Sequence, residues 1–257
     1  MVTSEFEILP AIDLRGGRVV RLVQGDFARE TTFSDDPVAT AIAFADAGAR
    51  WLHVVDLDGA RDGIPGHGAV VGAIVRAVGS RISIEVAGGI RDASAAATAI
   101  RAGAARIVIG TAAIRDPGFA AGLVDRYGRE RVVVAIDVRA GRAVGHGWAL
   151  DDPGTDAVAT IEALSTRGVD LFEVTAIDRD GLLGGPDLEL YERLGSPTGR
   201  RIIASGGITA TSDLDALRRV GCHGAIIGRA LYDGSLDLGE ALASATGALG
   251  PAPDRPH

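Results

Sequence analysis

The chain alternates between short apolar runs and longer, alanine-rich stretches with helical periodicity. The apolar runs are continuous and lack regularly alternating polar positions, which is typical of parallel strands buried on both faces. They predict eight strands: Ile8–Ile12, Trp51–Asp56, Ile82–Val86, Arg106–Ile109, Val132–Ile136, Leu171–Thr175, Arg201–Ala204 and Gly224–Ile227. The stretches between them predict eight helices: Pro37–Ala47, Ala69–Val78, Ala93–Ala102, Pro117–Tyr127, Ala157–Arg167, Leu188–Leu194, Ser212–Val220 and Leu238–Ala245.

Helix-cap residues support this assignment. Asp36-Pro37 and Asp116-Pro117 each place an N-cap side chain before a proline at the first helical position. Glycines stand where left-handed C-terminal caps are expected, at Gly48, Gly103, Gly168 and Gly221. Eight strand–helix units with short connections predict a parallel sheet, and eight strands are the number that closes a barrel. The predicted fold is an α/β protein, a (β/α)8 TIM barrel, with a doubly wound open sheet as the structural alternative.

An internal repeat divides the predicted barrel into two halves. The stretch Ala11–Arg18 returns 124 residues later as Ala135–Arg142, with the shared pattern Ala-Ile-Asp-x-Arg-x-Gly-Arg. Two further pairs of segments lie 118 residues apart: Val86–Ile90 with Ala204–Ile208, and Ile109–Ala112 with Ile227–Ala230. A half of about 120 residues holds four strand–helix units.

The repeat sets the expected domain organisation. We predict one domain over residues 1–249, built from half-barrels at about 7–128 and 131–247. The Pro-rich stretch 250–257 is predicted to be a disordered tail.

Composition and charge narrow the classes of function. Hydrophobic residues make up 47% of the 257 residues, enough for one sizeable core, and the net charge of −8 argues against nucleic acid as the main partner. The single cysteine, Cys222, excludes an internal disulfide and a cysteine-based metal cluster. The sequence shows neither a signal segment nor an apolar run of the roughly 18 residues that a membrane span needs. We expect a soluble, cytoplasmic protein with no membrane or nucleic-acid partner.

Two carboxylates end strands that lie across the predicted barrel from each other. Asp13 ends the first strand and Asp137 ends the fifth, at the face of a barrel where active sites are built. Opposed carboxylates can act as a general acid and a general base on one substrate. A lone aspartate at a strand end can equally cap the following turn, but the repetition of the pair favours catalysis.

Glycine-rich turns follow the other strands of the repeat. After the third and seventh strands, paired glycines would let a ligand oxygen approach the backbone; after the fourth and eighth, a glycine opens a helix whose amides can bind an anion. The repetition predicts two phosphate sites and hence a long substrate with a phosphate at each end. The candidate residues are Gly88, Gly89, Gly110, Thr111, Gly206, Gly207, Gly228 and Arg229.

Further candidates lie in two loops. Asp180 is a third possible acid in the polar, glycine-rich segment Thr175–Pro186, and Thr175 itself could hold a substrate hydroxyl or carboxylate. Trp148 lies in the loop after the fifth strand, where stacking on a base and packing as an anchor are both open roles. No pair of histidines has metal-ligand spacing, so neither a metal nor another cofactor is expected.

At this point the motifs match a known family. The chain closely resembles the phosphoribosylformimino-aminoimidazole-carboxamide ribotide (ProFAR) isomerases of histidine biosynthesis. The resemblance spans essentially residues 7 to 246, and its carriers are Leu9–Leu14, Val20–Asp26, Leu52–Ala60, Gly88–Arg91 and Arg179–Gly181.

This resemblance implies a cofactor-free Amadori rearrangement of a bisphosphorylated aminoaldose to an aminoketose, by a monomer. It makes Asp13 the base, and it makes either Asp137 or Asp180 the acid, depending on the version of the family's mechanism. Substrate-contacting positions of the family are matched by Arg21, Arg91, Trp148 and Thr175, and the same motifs add Gly25 and His53 as binding candidates.

Three alternatives stay open at the level of sequence. The sister cyclase of the pathway carries a Cys before the first Asp and a Lys after it, where this chain has Ala11 and Arg21. A bifunctional relative also isomerises phosphoribosylanthranilate; its pattern carries an Arg two residues before the loop Trp, where this chain has His146. A non-catalytic phosphosugar-binding barrel would not need both aspartates.

Overall fold

A computed structural model describes residues 6–145 and 153–246, apart from the side chains of residues 196–198. Twelve strands are present in these ranges: β1 (Glu7–Arg15), β2 (Arg18–Val23), β3 (Asp26–Ser34), β4 (Trp51–Asp56), β5 (Ser83–Ala87), β6 (Arg106–Ile109), β7 (Val132–Arg139), β8 (Arg142–Val144), β9 (Thr155–Asp156), β10 (Leu171–Ala176), β11 (Arg201–Ser205) and β12 (Gly224–Ile227). The helices of the same ranges are α1 (Pro37–Asp46), α2 (Leu57–Asp62), α3 (Gly68–Val78), α4 (Ala93–Arg101), α5 (Thr111–Arg115), α6 (Pro117–Tyr127), α7 (Ala157–Ser165), α8 (Leu188–Thr198), α9 (Thr211–Arg219), α10 (Arg229–Tyr232) and α11 (Leu238–Thr246).

Eight parallel strands close into a barrel, which confirms the predicted fold class and rules out the open sheet. Their order is β10-β11-β12-β1-β4-β5-β6-β7, and β7 pairs back to β10. All eight predicted strands and all eight predicted helices are found, with small shifts at their ends. The elements that the sequence analysis missed are the hairpin strands β2, β3, β8 and β9 and the short helices α2, α5 and α10.

The predicted helix caps are confirmed where they can be read. The Asp36 carboxylate accepts hydrogen bonds from Val38 N and Ala39 N, and the Asp116 carboxylate accepts one from Gly118 N. The four glycines predicted beyond helix ends all have φ between 88° and 104°, the left-handed range that favours glycine.

The two halves of the chain fold alike down to the strand register. In the β1–β2 hairpin, Asp13 pairs with Val20 and Arg15 with Arg18. In the β7–β8 hairpin, Asp137 pairs with Val144 and Arg139 with Arg142, the same register displaced by 124 residues. The sequence repeat is therefore also a repeat of structure, and equivalent positions of the two halves can be compared directly.

Apolar side chains form two clusters. The larger one fills the layer between the barrel and its helices, and Tyr191 and Phe172 are its largest fully buried members. The smaller one lies inside the barrel and consists of Leu9, Ala11, Ala87, Val108, Val133, Leu171, Ile203 and Ile226. Within the described ranges, no helix is long and apolar enough to cross a bilayer.

Candidate active site

Two aspartates face each other across the mouth of the barrel. Asp13 lies near the end of β1 and Asp137 near the end of β7, and three strands separate β1 from β7 in either direction around the barrel. This end of a barrel carries the active site, whereas the other end serves stability. The predicted opposition of the two carboxylates is confirmed.

Arg21 is the cation of this site. Its Nη1 donates a hydrogen bond to Asp13 Oδ2 over 2.6 Å, and both side chains are largely buried. Its Nη2 donates to the carbonyl oxygen of Ala11 over 3.2 Å. The guanidinium also lies 5.6 Å from the ring centre of Tyr232, whose hydroxyl donates to the same Ala11 carbonyl over 2.7 Å. A buried ion pair with these supports has little freedom to rearrange.

Asp180 completes a group of three carboxylates. Burial raises the pKa of Asp180 to about 6, the nearby Arg21 opposes this rise, and the charges of Asp13 and Asp137 add to it. Because all three charged neighbours act on Asp180, the four side chains share one site. A pKa of about 6 lies near neutrality, and it fits a group that exchanges protons during turnover.

The two halves of the chain differ at the positions of Arg21 and Asp180. By the repeat of 124 residues, the position equivalent to Arg21 is Gly145, which has no side chain. By the repeat of 120 residues in the next strand–helix unit, the position equivalent to Asp180 is Ala60. The aspartate pair is therefore two-fold symmetric, but its arginine belongs to the first half and its third carboxylate to the second.

The two predicted anion cradles have closely similar backbones. Gly110 precedes α5 with φ −102° and ψ −113°, and Gly228 precedes α10 with φ −109° and ψ −101°. A Cβ built on Gly228 would lie 2.3 Å from Arg21 Nη2, whereas one built on Gly110 would meet only Ala135, at 4.0 Å. The guanidinium of Arg21 thus covers one cradle and not the other.

The glycine pairs have a packing reason beside the predicted one. A Cβ on Gly88 would lie 2.1 Å from the Asp56 carbonyl oxygen, and one on Gly207 would lie 2.3 Å from that of Gly185. Gly89 and Gly206 are similarly confined by backbone at 2.9 Å. All four have φ between 73° and 97°. Neighbouring loops of the chain itself fill the space on the Cβ side of these glycines, so packing requires glycine at these positions. Phosphate binding by their amides stays a prediction.

The other binding candidates that the structure describes above the barrel interior lie around the same mouth. Thr175 lies on β10 beside Asp137 in register. Arg229 Nη1 donates to the Gly181 carbonyl over 2.7 Å, which ties α10 to the loop of Asp180. Arg91 is exposed and donates to the Ala60 carbonyl over 2.8 Å. The remaining three candidates are Thr111 at the start of α5, Gly25 in the β2–β3 turn with φ 71°, and Trp148, which lies outside the described residues as does His146.

His53 lies below this mouth, inside the barrel. It is only 6% exposed, and its Nδ1 is 2.7 Å from Glu85 Oε1 and 3.4 Å from Glu173 Oε1. In the part of the chain that the structure describes, this is the one cluster of His, Cys, Asp or Glu side chains close enough together to share a metal ion. Its ligand atoms lie within 4.8 Å of one another. A separation of 2.7 Å is that of an N–H···O hydrogen bond, and it is shorter than the roughly 3.3 Å between two ligands of one tetrahedral ion. We interpret the group as hydrogen-bonded.

Sequence reasoning missed Tyr232, Glu85 and Glu173. The signal for the two glutamates was available, because each is a charged residue within an otherwise apolar strand. Placing them together requires the barrel register, in which His53 pairs with Glu85 on the neighbouring strand.

With this geometry established, known proteins can be compared. The family model described as "Histidine biosynthesis protein" matches residues 7–237. The chain is similar to curated proteins named 1-(5-phosphoribosyl)-5-((5-phosphoribosylamino)methylideneamino) imidazole-4-carboxamide isomerase. That of Roseiflexus castenholzii is 46% identical over 238 residues, covering 93% of this chain and 99% of the relative. That of Thermomicrobium roseum is 48% identical over 232 residues, covering 88% and 92%. That of Moorella thermoacetica is 46% identical over 241 residues, covering 93% and 98%.

Proposed function

Because this chain belongs to the histidine biosynthesis protein family, we propose that it is the isomerase that converts ProFAR, a bisphosphorylated aminoaldose, into its aminoketose. The observation that supports this most is the group of three carboxylates around one guanidinium at the catalytic end of the barrel. An aldose–ketose rearrangement takes a proton from carbon and gives one to oxygen, and paired acidic and basic carboxyl groups do this work.

The reaction is balanced within one molecule. An acid protonates the ribose ring oxygen while the bond from that oxygen to C1 breaks, which leaves an open-chain imine. A base removes the proton on C2. The electron pair of that C–H bond forms the C1–C2 double bond of an enolamine, while the π pair of the protonated C1–N imine moves onto nitrogen. Transfer of a proton to C1, with loss of the proton from the C2 hydroxyl, then yields the ketose. Substrate and product contain the same atoms and electrons, so the chemistry consumes no second reactant.

Asp13 is the base in this proposal. Arg21 Nη1 donates to Asp13 Oδ2 over 2.6 Å, and this contact fixes the carboxylate at the mouth of the barrel, where it can accept a proton from the substrate. Asp180 is the acid, because burial and the charges of Asp13 and Asp137 raise its pKa to about 6 and so favour its protonated form relative to an ordinary aspartate. Asp137 acts through its charge on Asp180, and it is the alternative acid that the family resemblance leaves open.

The ends of the substrate are held by the two anion cradles. The Gly228 cradle binds one phosphate with help from Arg21 and Arg229, and the Gly110 cradle, with Thr111, binds the other. Two anchors on opposite sides of the mouth place the middle of the substrate over the aspartates, where the reacting carbons must lie.

Turnover of ProFAR by purified single variants tests these roles. We expect Asp13→Asn and Asp180→Asn to lower kcat by about 10²–10⁴-fold, the usual contribution of a positioned acid or base. Affinity for the bisphosphate, measured by calorimetry, should be kept. Asp35→Asn, the same change at an exposed position, is the matched control and should leave kcat unchanged.

The same assays separate the alternatives. If the wild-type protein binds the bisphosphate but does not turn over ProFAR, the chain is a binding barrel and the catalytic proposal fails. If all of these variants turn over ProFAR like the wild-type protein, the roles given to the aspartates are wrong. If Asp137→Asn abolishes turnover and Asp180→Asn does not, the acid is Asp137. Turnover of phosphoribosylanthranilate near that of ProFAR would establish the two-substrate alternative, which the names of the relatives do not favour over the single activity.

The remaining predictions from the sequence belong to this proposal. We propose that the protein works as a cytoplasmic monomer on its small substrate, with no nucleic-acid partner and no cofactor. The net charge of −8 supports the absence of a nucleic-acid partner. Burial raises the pKa of the single cysteine, Cys222, to about 12, so its thiol stays protonated and takes no part in the chemistry.

A further inference from the structure

A charged layer lies inside the barrel, directly below the aspartates. The interior of a (β/α)8 barrel is usually filled with branched aliphatic side chains. Here His53 on β4, Glu85 on β5 and Glu173 on β10 occupy one layer, and each is at most 6% exposed. The strand registers place Asp13 beside Val55 and His53 beside Ala11, so His53 lies one interior layer below Asp13.

The layer lies on the pseudo-two-fold axis of the barrel. His53 pairs with Ala11, and Glu173 pairs with Ala135, so the two residues are equivalent positions of the two halves. They face each other across the barrel, with His53 Nδ1 3.4 Å from Glu173 Oε1. Where a strict repeat would place two identical side chains in contact, this chain has an acid opposite a base.

A second charged layer closes the barrel from beneath. Arg106 donates two hydrogen bonds to Glu7, over 2.6 and 2.8 Å, and its guanidinium lies 3.7 Å from the ring centre of Trp51. Burial opposes ionisation of Glu7, yet hydrogen bonds from Arg106 and His223 lower its pKa to about 2. Arg106 is thus paired with Glu7 and lies 3.9 Å from Glu85, beyond hydrogen-bonding distance.

The titratable and charged side chains that face His53 come from four other strands of the barrel. They are Glu85 on β5 and Glu173 on β10, with Arg106 of β6 behind Glu85, and on β1 Glu7 below and Asp13 above. Two adjacent buried carboxylates cannot both ionise without a counter-charge. One cation and one anion remain in the middle layer if His53 is an imidazolium, Glu173 is ionised and Glu85 keeps its proton.

The pKa shifts of the three buried groups agree with this assignment of charges. Burial and the neighbouring Glu173 raise the pKa of Glu85 well above its usual range. Burial acts to lower the pKa of His53, but Glu173 and Glu85 outweigh it and raise that pKa to about 10. Burial acts to raise the pKa of Glu173, and His53 with the hydrogen bond from Glu85 brings it below its usual value.

We propose that Glu85 and Glu173 are positioning residues that hold His53 as an imidazolium in the floor of the active site. Nδ1 of the ring faces the two glutamates, so Nε2 faces away from them. Among the described residues Nε2 has no hydrogen-bond partner, and it is not one of the fully buried polar atoms that lack one, so in this proposal it is available to the substrate.

This proposal rests on the isomerase function proposed above. The three carboxylates outnumber Arg21, the guanidinium that lies among them, and the substrate brings two phosphates. A fixed cation below Asp13 offsets that charge, and its Nε2–H is a donor for a substrate hydroxyl or for the oxygen on C2 as the enolamine forms. Either glutamate alone can serve as the counter-ion, because removing one carboxylate relieves the other of its like-charged neighbour.

The charge of His53 can be measured without any activity. The probe is the ¹⁵N chemical shift of histidine side chains in the full-length protein, treated with a chelator, from pH 6 to pH 9, with His53→Gln to assign the signal. We expect wild-type His53 to be an imidazolium throughout. Glu85→Gln and Glu173→Gln should each leave it charged, whereas the double variant should lower its pKa by several units and leave it neutral at pH 8. Glu189→Gln, at an exposed position, is the matched control.

Kinetics then show whether the charge matters. The double variant should lose at least about tenfold in kcat/KM at pH 8, and it should regain activity as the pH falls and His53 takes up a proton. A defect of packing alone would lower activity equally at every pH.

Three results would overturn the proposal. The first is a neutral His53 at pH 8 in the wild-type protein, a measurement that needs no variant to fold. The second is a double variant that keeps His53 charged. The third is a stoichiometric divalent cation that survives chelation in the wild type and is absent from the double variant, which would make the carboxylates metal ligands. Each of these stands whether or not ProFAR is the substrate.

Discussion

Asp180→Asn removes a buried carboxylate whose ionisation the fold opposes, so we expect it to stabilise the protein at neutral pH while it removes the proposed acid. The pKa of Asp180 is raised from 3.8 to about 6. The folded state therefore holds the proton more tightly than the unfolded state, and wild-type stability falls as the pH rises between these two values. Asparagine carries no charge, so the variant does not lose stability in this way as the pH rises.

The size of the effect follows from the shift. About 2 pKa units correspond to about 3 kcal/mol of unfolding free energy once the pH is well above 6. At pH 4.5 the wild type has lost only part of this stability, because the pH is still well below the raised pKa of Asp180. The variant should therefore be only about 1 kcal/mol more stable than the wild type at that pH. In a chain of this length 3 kcal/mol corresponds to a rise in Tm of roughly 6–12 °C at pH 8.

Thermal unfolding followed by circular dichroism at pH 4.5, 6 and 8 measures this difference. Asp35→Asn is again the control, since an exposed aspartate should give no pH-dependent difference. A variant that is less stable than the wild type at pH 8, or a difference that does not grow with pH, would refute the reasoning. Asp180 would then be a structural residue with an ordinary carboxyl group.

Three further predictions concern the supports of the site. Arg21→Met leaves the buried Asp13 carboxylate without its partner at 2.6 Å, so kcat/KM for ProFAR should fall by about 10²–10³-fold. Gly88→Ala forces a Cβ to 2.1 Å from backbone at φ 97°, and urea unfolding should show a loss of about 3 kcal/mol or more. Glu7→Gln breaks the pair with Arg106. Because the pKa of Glu7 is lowered from 4.5 to about 2, about 3 kcal/mol of stability should be lost at pH 7, and less as the pH falls from 4.5 toward 2.

Each of these has a result that would contradict it. Wild-type kinetics in Arg21→Met would show that its pair with Asp13 is dispensable. Gly122→Ala, at a helix position with open space around it, is the control for Gly88→Ala, and equal stability of the two variants would remove the packing argument. A pH-independent loss in Glu7→Gln would point to packing and not to charge.

The barrel was predictable because its signals are local. Continuous apolar runs and helix caps are properties of short segments, and their number and order fix a closed parallel sheet. The β2–β3 hairpin was missed for the converse reason. Strand β3 has no buried residue, so its sequence, Asp26–Ser34, carries no hydrophobic periodicity. Within the described ranges its strand pairing is with β2, a contact that no local pattern reveals.

The internal repeat made part of the site predictable from the sequence. Asp13 and Asp137 stand out because the same motif contains both, and the repeat places them on opposite strands. The buried trio of His53, Glu85 and Glu173 cannot be found in this way, because its members come from three strands and meet only through barrel register and strand parity. Nor can sequence show that the loops of the chain itself fill the space in front of Gly88.

The matching registers of the two halves have a consequence for how a ligand is oriented. A site with equivalent cradles at both ends offers a doubly phosphorylated molecule two poses related by a half-turn, and in one of them the wrong ribose lies over the aspartates. Only positions that break the symmetry can tell the poses apart, and Arg21 opposite Gly145 and Asp180 opposite Ala60 are such positions. Equalising the halves would therefore trap substrate backwards, as its own competitive inhibitor, before it weakened binding.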